Sequence, residues 1–261
     1  MFFPIIKVPG FKGFTDLIFQ GPNNWENRNK NEKILHVIWS TGQNWSTKKI
    51  GVIQHGERLR ITTDSLTDSE MVNNLAVIYP SSVDLPKSMN DLPIERTWVG
   101  DVPAWRATTG LMNEFTQTSY QADVEPLPNK ASMLTFHPFI QFGEVLNFLL
   151  VLNLRRDPRI ENANLEIYNS YSKELIDTVS INSNSLSVIP LNDYGFIPTD
   201  LPLFLSKDLA GIPFGFAVHK GGQMLSLEHT HPPASFTLFG NRNKAQGKIK
   251  TAWISNVSNH S

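Results

Sequence analysis

The sequence predicts an all-β protein made of two similar β-sandwich halves, jelly-roll-like and closely packed, followed by a short C-terminal helix. Two observations predict this class: short segments rich in Ile and Val recur between Gly, Asn and Asp turns, and their order repeats along the chain. The 261 residues, of which 40% are hydrophobic and 18% charged, suffice for a sizeable core.

The strand signals are segments of five to eight residues with high β propensity. In the first part of the chain they cover 34–39, 49–54, 58–63 and 75–80. In the second part they cover 147–154, 164–170, 174–181, 186–191, 202–206, 214–220 and 224–229. The glycine pair in HKGGQ (219–223) predicts a hairpin turn between the last two.

An internal repeat is indicated by two pairs of segments. PAWRATTG (103–110) matches PFGFAVHKG (213–221) at a proline and at an alanine four residues later, so that Ala107 is aligned with Ala217. Setting Ser119 on Ser226 then aligns SYQADVEPLP with SLEHTHPPAS without a gap. The repeat predicts sandwich halves at 1–131 and 132–240 and a basic helix and tail at 241–261. The alternative is two unrelated runs of strands in one larger sandwich.

Helical periodicity is clearest in 241–254, where Ala245, Ile249 and Trp253 recur every four residues. We expect this stripe to pack on the body of the protein. The same segment is basic, with Arg242, Lys244, Lys248 and Lys250 and no acid.

The segment SLEHTHPPASF (226–236) holds the strongest candidate site. Because side chains alternate along a strand, His229 and His231 point to one side, as two imidazole ligands of one metal would, and Glu228 points to the other. We therefore name His229, His231 and Glu228 as candidate catalytic residues, and the two histidines as ligands of a divalent transition metal. The alternative is that both histidines are hydrogen-bonded residues at the end of a strand.

The pattern does not extend to a cupin motif. Such a motif has a glycine six residues before the first histidine, where this chain has Gln223, and a glutamate after the second, where no acid follows. No family is assigned on this pattern.

The repeat pairs this segment with Gln121, Asp123 and Glu125, which share one strand face. Related halves commonly pack about a pseudo-twofold axis, which would bring equivalent strand ends together around a shared cleft. We therefore predict that these three side chains bind a ligand.

Five of the six tryptophans lie in the first 105 residues, and Trp45 stands in the polar segment TGQNWSTKK (41–49). An exposed indole beside Asn and Gln suits stacking on a sugar. We predict that Trp45 and Trp105 bind a ligand in this way; the alternative is that they close the core.

Several function classes are disfavoured. The net charge of −1 favours no nucleic-acid partner, and the longest apolar run, 145–154, is too short to span a bilayer. The absence of cysteine excludes disulfides and fits a reducing compartment, so we expect a cytoplasmic protein. Two functions stay open: a binding or accessory protein for a carbohydrate or other small polar ligand, and a histidine-based enzyme, with or without a metal, acting on a similar substrate. The oligomeric state is left open.

Overall fold

The structure, a computed structural model, describes residues 1–20, 32–94, 105–121, 123–137, 140–197, 199–230, 248 and 251–256. In these residues the chain is nearly all β, as the sequence predicts. The strands are β1 Phe3–Ile6, β2 Lys12–Phe19, β3 Glu32–Ser40, β4 Trp45–Gln54, β5 Arg58–Thr62, β6 Leu75–Ser81, β7 Ser88–Met89, β8 Trp105–Met112, β9 Gln117–Gln121, β10 Met133–Phe136, β11 Val145–Asn153, β12 Asn162–Asn169, β13 Leu175–Asn182, β14 Ser185–Pro190, β15 Pro202–Ser206, β16 Ile212–His219 and β17 Leu225–His229.

Within the described ranges, single turns of 3-10 helix lie at Thr63–Ser65 and Asn192–Tyr194, and residues 251–256 are α-helical. No helix within the described ranges is long and apolar enough to cross a membrane.

The strands form four antiparallel sheets. The N-terminal strands supply sheet I, with the order β5-β2-β8-β9, and sheet II, with the order β1-β6-β3-β4-β7. The C-terminal strands supply sheet III, β14-β11-β16-β17, and sheet IV, β10-β15-β12-β13. If β7 is set aside, each part of the chain has eight strands, and counting strands from its start gives the orders 5-2-7-8 and 1-6-3-4 in both parts.

Buried side chains link the sheets in the order I, II, III, IV. Strand β6 shows this most directly, because its alternate residues enter different clusters. Ala76 and Ile78 pack in a cluster that includes residues of sheet I, whereas Val77 and Tyr79 pack in one that includes residues of sheet III. Sheet II is therefore buried on both faces, which explains why β6 is a continuous run of buried residues.

The C-terminal sheets follow the same arrangement. In β15, Phe204 enters a cluster shared by sheets III and IV, and Leu203 and Leu205 face the other side of sheet IV. Trp253 and Ile254 of the C-terminal helix pack on that other side. The helix thus covers sheet IV, and the predicted contact of Trp253 with the body is confirmed; Ala245 and Ile249 lie outside the described residues.

The contact between the two parts of the chain differs from a pseudo-twofold arrangement. A twofold axis brings like sheets together. Here sheet II, with the strand order 1-6-3-4, packs against sheet III, with the order 5-2-7-8. This core contact therefore joins unlike sheets, while the like strands β9 and β17 also lie beside each other.

The strand register also limits the sequence repeat. Ser119 pairs with Gly110 in sheet I, and Ser226 pairs with Ala217 in sheet III. If Ser119 and Ser226 are equivalent, Ala217 corresponds to Gly110 and not to Ala107. The two segment alignments therefore cannot both mark equivalent positions, although the strand orders agree.

Candidate functional site

Strands β9 and β17, the two strands of the predicted site, lie beside each other. The ring of Tyr120 in β9 stacks on His229 in β17, with centroids 6.1 Å apart and planes inclined by 24°. Phe214 of β16 packs edge-on against the same histidine at 5.7 Å. The half-buried His229 is thus held between aromatic rings from two sheets.

The hairpins that carry these strands also meet at their turns. The Nδ2 of Asn113, between β8 and β9, donates a hydrogen bond of 2.7 Å to the carbonyl oxygen of Gly222, between β16 and β17. Gly222 has a φ of 73° and donates its amide to His219 over 2.7 Å, which confirms the turn predicted at 219–223. The two hairpins therefore run side by side with their turns at one end.

The described residues of the two neighbouring strands, β9 and β17, do not form a metal site. Glu228 is exposed and lies on the strand face opposite Leu227 and His229, as alternation predicts. His231 lies outside the described residues. Within the described ranges no group of three His, Asp or Glu side chains could hold a metal ion.

The three residues of the first part of the chain that were predicted to bind a ligand are exposed to solvent. Gln121, Asp123 and Glu125 are exposed, whereas the intervening Val124 is buried and exchanges backbone hydrogen bonds with Phe2. The Oε1 of Glu125 lies 3.3 Å from the N-terminal amine. These side chains lie at or just beyond the end of β9.

The two tryptophans predicted to bind a sugar are core residues. Trp45 and Trp105 are each 2% exposed, so neither ring presents a face to solvent. Trp45 enters the cluster between sheets II and III and donates from Nε1 to the carbonyl oxygen of Arg156 over 2.8 Å. Trp105 stacks on Phe19 at 4.4 Å inside the N-terminal sheets. The structure thus favours the core alternative for both.

A groove of about 530 Å³ lies between the two parts of the chain, away from the histidines. Its volume is in the usual range for small-molecule sites. Amide and hydroxyl side chains line it, together with apolar residues, and none of the described residues of the lining is charged. The polar set is Asn73, Asn74, Ser180, Asn182, Ser185 and Ser187.

One wall of the groove is fixed by a backbone link between the two parts of the chain. The amide of Leu186 in β14 donates to the carbonyl oxygen of Asn73 over 3.0 Å. Asn74 adopts a left-handed φ of 57°, which asparagine tolerates better than most residues, and its Nδ2 lies 3.5 Å from the Leu186 oxygen. The chain turns here directly before β6 begins.

An aromatic ring lies at the inner side of the groove. Phe148 of β11 lines the groove and stacks on Phe216 at 5.7 Å with an interplanar angle of 29°. The ring is partly buried, so it offers a limited apolar surface beside the amides and hydroxyls. Such a combination binds polar ligands that also have an apolar face.

Sequence reasoning did not identify this groove, although a signal is present. SINSNSLS (180–187) alternates serine with asparagine and apolar residues where one strand ends and the next begins. That composition is also typical of an ordinary turn. Only the fold places it opposite Asn73 and Asn74.

Comparison of the chain with protein-family models, with curated proteins and with solved structures found no match in any of the three. The functional argument therefore rests on the groove and on the convergent hairpins.

Proposed function

We propose that the protein is a non-catalytic binding or accessory protein for a carbohydrate or similar uncharged polar ligand, held in the groove between its two parts. The observation that carries the proposal is the composition of the groove, whose described residues supply amides, hydroxyls and one aromatic ring without a charged side chain. Sugar hydroxyls exchange hydrogen bonds with such groups, and the C–H faces of a pyranose pack on apolar surface.

Val72 provides a direct test. It lines the groove and is 65% exposed, so Val72→Arg places a bulky charge in the site with little effect on folding. Val83→Arg is the matched control, because Val83 is 61% exposed and does not line the groove.

Binding would be measured by screening immobilised neutral glycans and then by titration calorimetry with a glycan that binds. We expect Val72→Arg to weaken binding at least about tenfold and Val83→Arg to leave it unchanged. Equal affinities of both variants and the wild type would remove the groove as the site. Binding of no neutral glycan would overturn the proposed function itself.

The convergent hairpins support a second candidate, the histidine-based enzyme. His229 stands beside the strand that leads to Asp123 and Glu125, so a third metal ligand could come from the other part of the chain. Elemental analysis of untagged protein tests this function. Stoichiometric zinc, iron or manganese that is lost when His229 and His231 are both changed to alanine would favour the enzyme; metal-free wild-type protein would remove the metal-dependent form.

We also propose that the chain is a duplication of one jelly-roll-like sandwich, with halves at 1–131 and 132–240. The repeated strand order supports this, and so do matching core positions. Leu35 and Val37 of β3 face the core of sheets I and II, as Leu165 and Ile167 of β12 face that of sheets III and IV. If each half has its own core, fragments 1–131 and 132–261 produced together should form a 1:1 complex with the circular dichroism spectrum of the intact chain.

A cytoplasmic location is part of the same proposal and is supported by the absence of cysteine.

A further inference from the structure

The walls of the groove include two strand edges. β13 and β14 follow each other in the chain but belong to sheets IV and III, and each is the last strand of its sheet in the described residues. They stay close only near their connection, where the amide of Asn182 donates to Oγ of Ser187 over 3.3 Å. Beyond this point the edges separate, and Ser180, Val188 and Pro190 line the space between them.

The backbone of Ser180 faces this space. In an antiparallel pair, residues whose N–H and C=O face the partner strand alternate with residues for which both groups face away. The Ser183 amide donates to Glu161 at the start of β12 over 2.9 Å, whereas the amides of Asn182 and Thr178 donate to side chains outside β12. Ser180 shares the parity of Asn182 and Thr178, so its N–H and C=O point to the free edge of β13.

Val188 is oriented in the same way on β14. The Leu191 amide donates to Asn147 of β11 over 2.8 Å, whereas the Leu186 amide donates away from β11 to Asn73 over 3.0 Å. Val188 shares the parity of Leu186, and its N–H and C=O therefore face away from β11. The groove thus has a backbone donor and acceptor on each of two walls.

A sugar hydroxyl makes only some of the hydrogen bonds that the backbone N–H and C=O groups on these two walls can form. A secondary amide carries its N–H and its C=O on opposite sides, so it can donate to the carbonyl group of one strand edge and accept from the N–H of the other, as a strand between two edges does. The side chains of Val188, Pro190 and Phe148 add apolar surface beside these edges, where a methyl group can be buried. We infer that the groove selects sugars that carry an acetamido group. This inference rests on the proposed glycan-binding function.

The first test varies only the ligand. Chitotetraose and cellotetraose share their linkage and ring configuration and differ at the acetamido group, and oligosaccharides of N-acetylgalactosamine and galactose form a second such pair. We expect the wild-type protein to bind the acetamido member of at least one pair about tenfold more tightly or better. Equal binding within both pairs would overturn the inference and leave the proposed function standing. Binding of neither member of either pair would also overturn the inference, and the proposed function would fall with it only if no other neutral glycan of the screen bound.

The second test varies the protein. Ser180→Pro and Val188→Pro each remove one edge-facing N–H, and proline is tolerated in strands at such edge positions. Thr178→Pro is the matched control, since its N–H faces the same edge but Thr178 does not line the groove. We expect the preference for acetamido sugars to fall severalfold in the first two variants and to persist in the control.

Thermal unfolding followed by circular dichroism checks that each variant folds. If Ser180→Pro does not fold, the test relies on Val188→Pro alone. A preference that survives both substitutions would overturn the inference. The inference would also be overturned if N-acetylalanine amide competed for the groove as strongly as chitotetraose does, since the groove would then recognise a peptide rather than a sugar.

Discussion

Trp45 is joined to Arg156 by a hydrogen bond that crosses from the N-terminal to the C-terminal part of the chain. Its indole Nε1 lies 2.8 Å from the Arg156 carbonyl oxygen. Trp105 is buried to the same 2%, but its Nε1 has no hydrogen-bond partner among the described residues. The two tryptophans therefore form a natural pair for measuring what this bond contributes.

Replacement by phenylalanine should lower the free energy of unfolding by different amounts at the two tryptophans. We expect Trp45→Phe to lower the free energy of unfolding by about 1 kcal/mol more than Trp105→Phe, because only the former removes an existing hydrogen bond, while the Arg156 oxygen keeps the amide of Leu92 at 3.0 Å as a donor. Urea denaturation of both variants measures the difference. Equal losses would mean that the bond contributes nothing beyond packing.

Two variants of Asn113 should separate what the turn after β8 contributes to stability from what the contact between the two hairpins contributes. Its Oδ1 accepts the amides of Phe115 and Thr116 at 2.9 Å, and its Nδ2 donates to Gly222. Asn113→Asp keeps the acceptor and loses the donor, whereas Asn113→Ala loses both. We expect Asn113→Asp to cost about 1 kcal/mol and Asn113→Ala about 1 kcal/mol more, measured by urea denaturation. Identical costs would contradict a separate role for the turn.

The stability of the protein should fall below pH 6.5 through His137. Burial lowers the pKa of this imidazole from 6.5, so the unfolded chain takes up a proton at His137 at a higher pH than the folded protein does. Unfolding is then favoured by protonation, by up to about 1.4 kcal/mol per pH unit below 6.5, and no loss occurs above it.

We expect His137→Gln to flatten this dependence, as measured by urea denaturation at pH 7.5, 6.0 and 5.0. Burial also lowers the pKa of His36, but His36 is unchanged in the variant, so the difference between the two slopes belongs to position 137. An unchanged slope in the variant would contradict the assignment.

His137 also leaves no room for a side chain at position 215, which is a glycine. A Cβ atom at position 215 would lie 2.6 Å from Nε2 of His137, which is too close for contact. We expect Gly215→Ala to lower the free energy of unfolding by about 1–3 kcal/mol. Gly51→Ala is the matched control, because no atom lies within 4 Å of the added Cβ, and its effect should stay within about 0.5 kcal/mol.

Most strands were predictable from sequence because β-branched residues and turn residues mark them locally, although β2 and β10 lie outside the predicted segments. The segment 202–206 matches β15 from end to end. β1 was not predicted, because Pro4 and Pro9 interrupt its apolar run; as an edge strand, β1 tolerates Pro4, and the oxygen of Pro4 accepts hydrogen bonds from Thr15 and Thr109.

The site was less predictable because burial depends on residues far apart in the chain. Polar neighbours suggested an exposed Trp45, but the group that covers its Nε1 belongs to a residue 111 positions later. The convergence of β9 with β17 was foreseen through the repeat, whereas the contact of unlike sheets was not. The groove depends on that contact, so the local pattern at 180–187 could not be distinguished from an ordinary turn.

The contact between sheets II and III has a consequence for assembly. An interface between unlike surfaces can in principle be repeated indefinitely and produce a filament, whereas a twofold interface closes after two units. The outer surface of sheet I bears the exposed Arg106 and the ion pair of Asp16 with Arg60, so it cannot receive another apolar sheet. At the other end, Trp253 and Ile254 cover sheet IV. Both outer faces of the four-sheet stack therefore disfavour repetition of the contact between sheets II and III.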